Sequence, residues 1–226
     1  MVLTVFGDFS TTDTVNALTK NLSQLKVSPV SIASFTEASP VTTREKSLAL
    51  NKEQAIVMVG FQGADLSSRD YYGMEVLTAI LGSPFSGRIF TEVRDALGQA
   101  YNLGGNFLAS RDMGMLSFHV LTSSENLARV KPILLRVIEN LRTTEVSDEE
   151  LRNVKKYLNG KFQRGIETSS ALSVVAALDE LLGRGYDHYQ HYSQRIDEVT
   201  SSDIKRLAEQ YLDIQKAAVV SSQSQN

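Results

Sequence analysis

The sequence predicts an α+β fold in which helices cover one face of an antiparallel sheet. From residue 46 onward, strand-like segments come first, followed by helical segments, further strand-like segments and a long helical region. Residues 101–109 and 115–121 are typical of paired strands around the polar turn 111–114. Strands and helices are therefore segregated along the chain rather than alternating, which favours α+β over a parallel α/β fold.

The composition is that of an ordinary globular protein and excludes several kinds of site. Of 226 residues, 42% are hydrophobic and 22% are charged, so the chain can bury a core. The formal net charge is -3 and no basic run occurs, which argues against nucleic acid and anionic membranes as partners. The absence of Cys excludes disulfides, thiolate metal sites and a cysteine nucleophile. No segment approaches the roughly 18 consecutive apolar residues of a membrane span, so we expect a soluble chain.

The first 45 residues predict a strand, a helix and a linker. Residues 2–6 are apolar and strand-like, without the basic region or cleavage site of a signal peptide. Residues 11–25 carry apolar side chains at helical spacing, with Thr12 or Asp13 as the predicted cap. Residues 28–45 contain two of the four prolines and are rich in Ser and Thr, which indicates a linker.

The region after the linker predicts a hairpin and two helices before the second pair of strands. Residues 46–50 and 54–61 read as the strands of a hairpin around Asn51 and Lys52. A helix over 67–82 follows, and Ser86 caps the next one; a glycine ends each of them.

The last third of the chain is predicted to be mostly helical. A helix after Ser124 contains Pro132, which either kinks it or sets its true start. Ser147 has capping-box spacing and opens a long helical stretch, whose glycines are weak points consistent with two helices in series. Two further helices follow, the second capped by Thr200, and residues 216–222 end the chain as a strand.

Residues 85–101 form the most informative segment. Arg94 lies in the last turn of a predicted helix, Gly98 ends that helix, and Tyr101 opens the next strand seven residues after the arginine. Taken as residue types alone, a cation near a helix C-terminus and a tyrosine in a strand are ordinary structural choices. A functional role requires both side chains to reach one point, which a helix reversing into a strand would allow.

This pattern resembles the substrate-side signature of the pitrilysin/insulinase zinc peptidases, known as the M16 family. The lead-in Leu81–Phe90 and the helix start Ser147–Leu151 share the resemblance, which covers most of residues 1–222 in order. In that family, an Arg and a Tyr at this spacing come from the half of the molecule that does not hold the metal. The resemblance thus implies catalytic and substrate-binding roles: Arg94 holds backbone carbonyls of a peptide, and Tyr101 donates to the oxyanion.

The resemblance also implies a domain division and a fold. Residues 1–27 would be the strand-and-helix tail of a preceding zinc-bearing half, residues 28–45 the linker, and residues 46–226 the C-terminal, non-zinc domain of LuxS/MPP-like fold. A strand at residues 2–6 that lacks its own sheet would leave an apolar edge, and we expect such an edge to favour self-association.

The function that the resemblance implies is that of the substrate-binding half of a zinc metallopeptidase. The chain would be inactive alone, with zinc and the catalytic base on a half that is fused upstream or is a separate subunit. The substrate would be a peptide, and the compartment would be the bacterial cytoplasm or periplasm. Two alternatives stay open: a non-catalytic scaffold, as in the respiratory-complex core proteins that resemble this family, and a peptide-binding or assembly subunit.

The histidines and glycines of the chain do not complete another site. The H-x-x-E-H motif of a zinc-bearing half is absent. His188 and His191 have i, i+3 spacing but lack the glutamate and a third ligand, so no metal site is assigned in this chain. His119 reads as a packed or edge residue of a strand. Gly104 and Gly105 lack the context of a phosphate loop, and no G-x-S-x-G elbow supports a serine hydrolase.

Overall fold

The computed structural model contains two compact units, one formed by Met1–Phe35 with Gln163–Gln190 and the other by Thr36–Phe162 with His191–Asn226. The regular secondary structure of the described residues consists of helices and one sheet, which confirms the predicted α+β class. The structure describes Leu97 through its main chain only, and otherwise describes residues 1–26, 28, 30–31, 33–52, 54–84, 86–98 and 102–224.

The larger unit holds a five-stranded sheet. Its strands are β1 (Arg44–Leu50), β2 (Gln54–Gly63), β3 (Asn102–Ala109), β4 (Gly114–Ser123) and β5 (Ala218–Ser224). Their order across the sheet is β1-β5-β2-β4-β3, with β1 parallel to β5 and the other pairs antiparallel. β1 begins at Arg44, inside the predicted linker at residues 28–45, so a linker at this place would end before Arg44. The division into residues 1–27, 28–45 and 46–226 stays a prediction.

The hairpin predicted for residues 46–50 and 54–61 is wrong, because β5 lies between β1 and β2. β5 pairs in parallel with β1, from Arg44 opposite Ala218 to Leu50 opposite Ser224, and in antiparallel with β2. Two strands joined by a short turn usually pair with each other. Here a strand from the end of the chain occupies the position between them, and no local pattern reveals such a distant competitor.

Eight α-helices occur in the described part of the chain. They are α1 (Thr11–Leu22), α2 (Tyr71–Gly82), α3 (Arg88–Leu97), α4 (Leu127–Thr143), α5 (Asp148–Gly165), α6 (Ser169–Leu181), α7 (Tyr192–Glu198) and α8 (Ser201–Tyr211). The predicted series of two helices after Ser147 is confirmed as α5 and α6. Among these helices, none has the length and apolar character that a membrane crossing requires.

Two helix N-caps differ from the prediction. Ser10, rather than either residue predicted to cap α1, accepts a hydrogen bond from the Asp13 amide. α3 has Gly87 rather than Ser86 as its N-cap. α4 begins at Leu127, after Ser124 as predicted, and Pro132 lies inside it rather than at its start. A cap is decided by which oxygen reaches the free amides of the first turn, and residue type alone does not settle that.

Residues 2–6 do not form a strand, contrary to the prediction. In the smaller unit, the Thr4 hydroxyl instead donates to the Ser173 carbonyl of α6 at 2.7 Å. Apolar, β-prone residues form a strand only when a neighbouring strand pairs with their backbone groups. The self-association expected from an unpaired strand edge loses this support.

One face of the sheet packs against α2, α4 and α8, as predicted. Alternate residues of the central strands point to that face and are fully buried: Ala55, Val57, Val59, Leu116, Phe118 and Val120. The opposite face is open, and the side chains of Met58 and Val220 there remain 37% and 40% exposed. This alternation is that of an antiparallel sheet with a single covered face.

A buried carboxylate joins the start of α2 to α8. Asp70 is only 7% exposed. It accepts hydrogen bonds from Arg206 Nη2 at 2.7 Å and from the Tyr211 hydroxyl at 3.2 Å. Burial, reinforced by the Asp70 carboxylate, raises the pKa of Tyr211 to about 12, so the phenol stays protonated as a donor. The network fixes how α2 lies against α8.

The end of α2 approaches β3 so closely that only glycine fits at the contact. A Cβ added at Gly82 would lie 2.2 Å from the Gly105 nitrogen and 2.5 Å from the Gly105 Cα. A Cβ at Gly105 would lie 2.9 Å from the ring of Phe118. The two glycines therefore let the backbones of helix and strand touch, just before α3 begins.

We expect Gly82→Ala to lower the free energy of unfolding by about 2 kcal/mol or more, because the β3 backbone must move away from the new methyl group. Urea unfolding followed by circular dichroism measures this. Gly165→Ala is the matched control, since nothing lies within 4 Å of a Cβ there. The control should leave stability unchanged or raise it by up to about 1 kcal/mol. Equal midpoints for Gly82→Ala and the wild type would contradict the close approach.

Candidate functional site

α3 is an amphipathic helix whose buried side fixes the direction of its exposed side. Ile89 and Val93, one turn apart, are fully buried. Gly98 ends the helix in the left-handed conformation with a φ of 68°, and its amide donates to the Arg94 carbonyl at 2.7 Å. A residue without a Cβ adopts this conformation at low cost, so the predicted glycine stop is confirmed.

Arg94 lies on the exposed side of the last turn of α3, where its contacts with described residues are weak. Its side chain is 57% exposed, and its Nε lies 3.9 Å from Asp95 Oδ1. Its guanidinium carbon lies 5.1 Å from the centre of the Phe90 ring. Exposed contacts of both kinds contribute little free energy. The guanidinium fork can therefore exchange these contacts for a ligand with hydrogen-bond acceptors.

Among the described side chains, three polar contacts hold α3 against α4 and α5. In chain order they are Arg88 with Glu150 at 2.7 and 2.8 Å, Glu92 with Arg136 at 2.8 Å, and the Ala96 carbonyl with Arg129 at 3.0 Å. The first pair is bidentate, the strongest geometry for an arginine and a carboxylate. From sequence, Glu150 read only as part of the capping pattern of α5. Its amide does donate to the Ser147 hydroxyl at 3.2 Å, but its carboxylate binds α3 instead.

Tyr101 lies outside the residues that the structure describes. The described part of the predicted strand begins at Asn102 and continues to Ala109. The distance between the Arg94 and Tyr101 side chains, and their convergence on one point, therefore stay predictions.

A histidine–asparagine pair lies on the open face of the sheet, and sequence reasoning missed it. His119 Nε2 lies 3.1 Å from Asn102 Oδ1, while its Nδ1 is buried without a hydrogen-bond partner among the described residues. Gly104 stands opposite His119 in the β3–β4 register, and a Cβ there would lie 3.2 Å from the imidazole. The glycine thus makes room for the ring. The pairing register creates this contact, which a sequence motif could not have indicated.

Burial lowers the pKa of His119 from its ordinary value of 6.5. Burial disfavours the charged imidazolium because water no longer solvates it fully. The ring is therefore neutral near pH 7 and can serve as a hydrogen-bond partner on the open face. Asn102 is the first residue of β3 and follows Tyr101 in the sequence, whereas His119 lies in the neighbouring strand β4.

The other two histidines do not form a metal site in the described structure. They lie in a 3₁₀ turn over His188–His191, and His188 Nε2 is hydrogen-bonded to Arg184. No group of three or more His, Cys, Asp or Glu side chains among the described residues could hold a metal ion. The described residues of this chain therefore do not fit zinc.

The larger unit also contains a cavity of about 430 Å³ with an acidic lining. Its ionisable lining includes Glu37, Asp65, Asp112, Asp213, Tyr211 and Lys216. The hydroxyl of Ser67, together with backbone amides, holds the pKa of Asp65 below its ordinary value, so this carboxylate stays charged. An anionic ligand would be repelled from such a cavity.

A family model described as "Peptidase M16 inactive domain" matches residues 1–158. The chain is 29% identical over 168 residues to an uncharacterized zinc protease of Mycobacterium leprae, a match that covers 74% of this chain and 38% of that protein. It is 27% identical over 156 residues to the uncharacterized zinc protease YmxG of Bacillus subtilis, covering 69% and 37%. The chain thus spans less than two-fifths of the length of these relatives.

Solved structures share the fold at lower sequence identity. A peptidase M16 inactive domain from Pseudomonas fluorescens aligns with a TM-score of 0.85 and 18% identity, over 97% of this chain and 53% of that one. A chain of Complex III2 from Candida albicans aligns with a TM-score of 0.80 and 16% identity, over 96% and 53%. These likenesses confirm the predicted fold.

We expect the stability of the protein to depend on pH through His119. Because its pKa is lower in the folded state, the unfolded chain binds the proton more readily. The stabilising contribution is present above pH 6.5, the ordinary pKa, and is lost as the pH falls towards the folded value. Melting temperatures at pH 7.5 and 5.5 should therefore differ more for the wild type than for His119→Gln. His191→Gln, at an exposed position, should keep the wild-type difference. An identical pH dependence in His119→Gln and the wild type would show that the ring does not titrate as inferred.

Proposed function

Because the chain belongs to the peptidase M16 family, as its inactive domain, we propose that it is the substrate-binding half of a zinc metallopeptidase that hydrolyses peptides. The observation that carries the proposal is the presentation of Arg94: α3 is buried and anchored on one side and exposes this cation at its glycine-terminated end. The active site is split, with the metal on another half. The chain is inactive by itself.

In this proposal Arg94 binds the peptide backbone. A guanidinium carries several N–H donors in a planar fork, which suits it to hold carbonyl oxygens on either side of a scissile bond. Its present contacts, to Asp95 and the Phe90 ring, are weak enough to be exchanged for substrate. The helix end that bears it is supported by the buried Ile89 and Val93.

Tyr101 supplies the second group. Its role comes from the family pattern, since the residue lies outside the described part of the structure. A neutral phenol donates one hydrogen bond, and its proper target is the oxyanion that develops on the scissile carbonyl. A donor placed there stabilises the transition state more than the ground state, and that difference accelerates the reaction.

Zinc and the base belong to a zinc-bearing M16 half in this proposal, either fused upstream or present as a separate subunit. The two relatives are named zinc proteases, and the segments that align with this chain make up 37% and 38% of their length. The described residues here do not fit the metal. The compartment we propose is the bacterial cytoplasm or periplasm.

The test mixes the purified chain with a zinc-bearing M16 half and a quenched fluorescent peptide. We expect no hydrolysis from the chain alone and activity from the mixture. Tyr101→Phe should lower kcat by about 100- to 1,000-fold, the usual loss for one oxyanion donor. Arg94→Met should lower kcat/KM by roughly 10- to 100-fold, because a charge-assisted hydrogen bond to substrate is lost.

Arg152→Met is the control for the loss of an arginine, since Arg152 is exposed on α5. It should retain wild-type kinetics. Full activity of both the Tyr101→Phe and Arg94→Met variants would overturn the catalytic role. A stable complex that hydrolyses no peptide would instead indicate a scaffold or peptide-binding subunit.

A further inference from the structure

We propose that Arg129 of α4 is a positioning residue for Arg94, because it hydrogen-bonds the turn of α3 from which Arg94 projects. The inference rests on the proposed function, in which Arg94 contacts substrate. Arg129 itself acts through the helix and not on the peptide. It belongs to a different helix and lies 35 positions after Arg94 in the sequence, so no motif connects the two.

The contact meets a need of the helix end. The last four carbonyls of an α-helix have no partner within the helix. In α3, the Gly98 amide satisfies the Arg94 carbonyl at 2.7 Å, and Arg129 Nη2 satisfies the Ala96 carbonyl at 3.0 Å. A cationic donor at this end also interacts favourably with the negative end of the helix dipole. Together the two hydrogen bonds define the geometry of the turn that bears Arg94.

The described side chains that follow Val93 in this turn are not buried. Val93 is fully buried, but the next residues, Arg94, Asp95 and Ala96, are exposed. The bidentate contact of Arg88 with Glu150 lies at the opposite end of the helix. The contact of Glu92 with Arg136 lies before the last turn. The Arg129 hydrogen bond therefore links this exposed stretch of α3, from Arg94 to Ala96, to α4.

The position of the Arg94 side chain consequently follows the position of this turn. Its contacts with described residues, the exposed pair with Asp95 and the Phe90 ring, are both within α3 and do not fix it relative to the sheet. If the last turn frays, Arg94 keeps its charge, but its guanidinium is no longer held in one position. A displacement of about 1 Å in a positioned group can cost on the order of 100-fold in rate.

Amide hydrogen exchange of the full-length chain tests the structural step without any partner. In Arg129→Met, the Gly98 amide should exchange about tenfold faster than in the wild type, which corresponds to the loss of one charge-assisted hydrogen bond. Arg129→Lys keeps a cationic donor and should restore part of the protection. Arg152→Met, the exposed control on α5, should leave the Gly98 amide unchanged. Wild-type exchange in Arg129→Met would overturn the proposal.

A double-mutant cycle with the zinc-bearing half and the quenched peptide tests the functional step. Arg129→Met alone should lower kcat/KM by roughly tenfold, and it should cost little more in a chain that already carries Arg94→Met. Losses that add fully would mean that Arg129 does not act through Arg94, which overturns the positioning role. Full activity of Arg94→Met would overturn the proposed function, whereas the exchange experiment separately decides whether Arg129 holds the helix end.

Discussion

The insertion of β5 between β1 and β2 is the pairing on which the larger unit depends. Without β5, β1 would have no neighbour in the sheet, and β2 would lose its pairing along one side. The pairing is also the most distant in sequence: the hydroxyls of Ser47 and Ser221, which are 174 positions apart, lie 3.3 Å from each other. The sheet is complete only when residues 218–224 have paired with strands that lie within residues 44–63. Such non-local pairing is slow to form, because a long loop must close before any contact stabilises it.

The two faces of the completed sheet differ in burial. Alternation along β2 and β4 places one set of side chains under α2, α4 and α8, where they form the core. The other set lies on the open face, where Met58 and the His119–Asn102 pair are found. Because successive side chains of a strand point to opposite faces, the register that buries one set of residues in the core also decides which residues lie on the open face. The covered face supplies the buried core, whereas the side chains on the open face remain partly exposed.

The candidate site combines a rigid support with an exposed reacting group. α3 is anchored by Arg88, Glu92 and Ala96 through partners on α4 and α5. Arg94 lies on the other side of the helix, and its contacts with described residues are the exposed pair with Asp95 and the Phe90 ring. In the proposed function, this arrangement lowers the entropic cost of binding, because the backbone is ordered in advance and only the side chain must settle. The proposed task of the chain is to hold the peptide, with the metal on another half.

The α+β class, the glycine stop at Gly98, the division between α5 and α6, and the family could all be predicted from the sequence. These features are encoded locally, in hydrophobic periodicity, capping residues and a contiguous motif. The separation of β1 from β2 by β5, the lack of a strand at residues 2–6 and the contact of Glu150 with Arg88 became apparent in the folded structure alone. The same holds for the contact of Arg129 with the end of α3 and of His119 with Asn102. Each of these depends on which distant segments compete for the same edge, carbonyl or charge, and that competition is resolved only when the chain is folded.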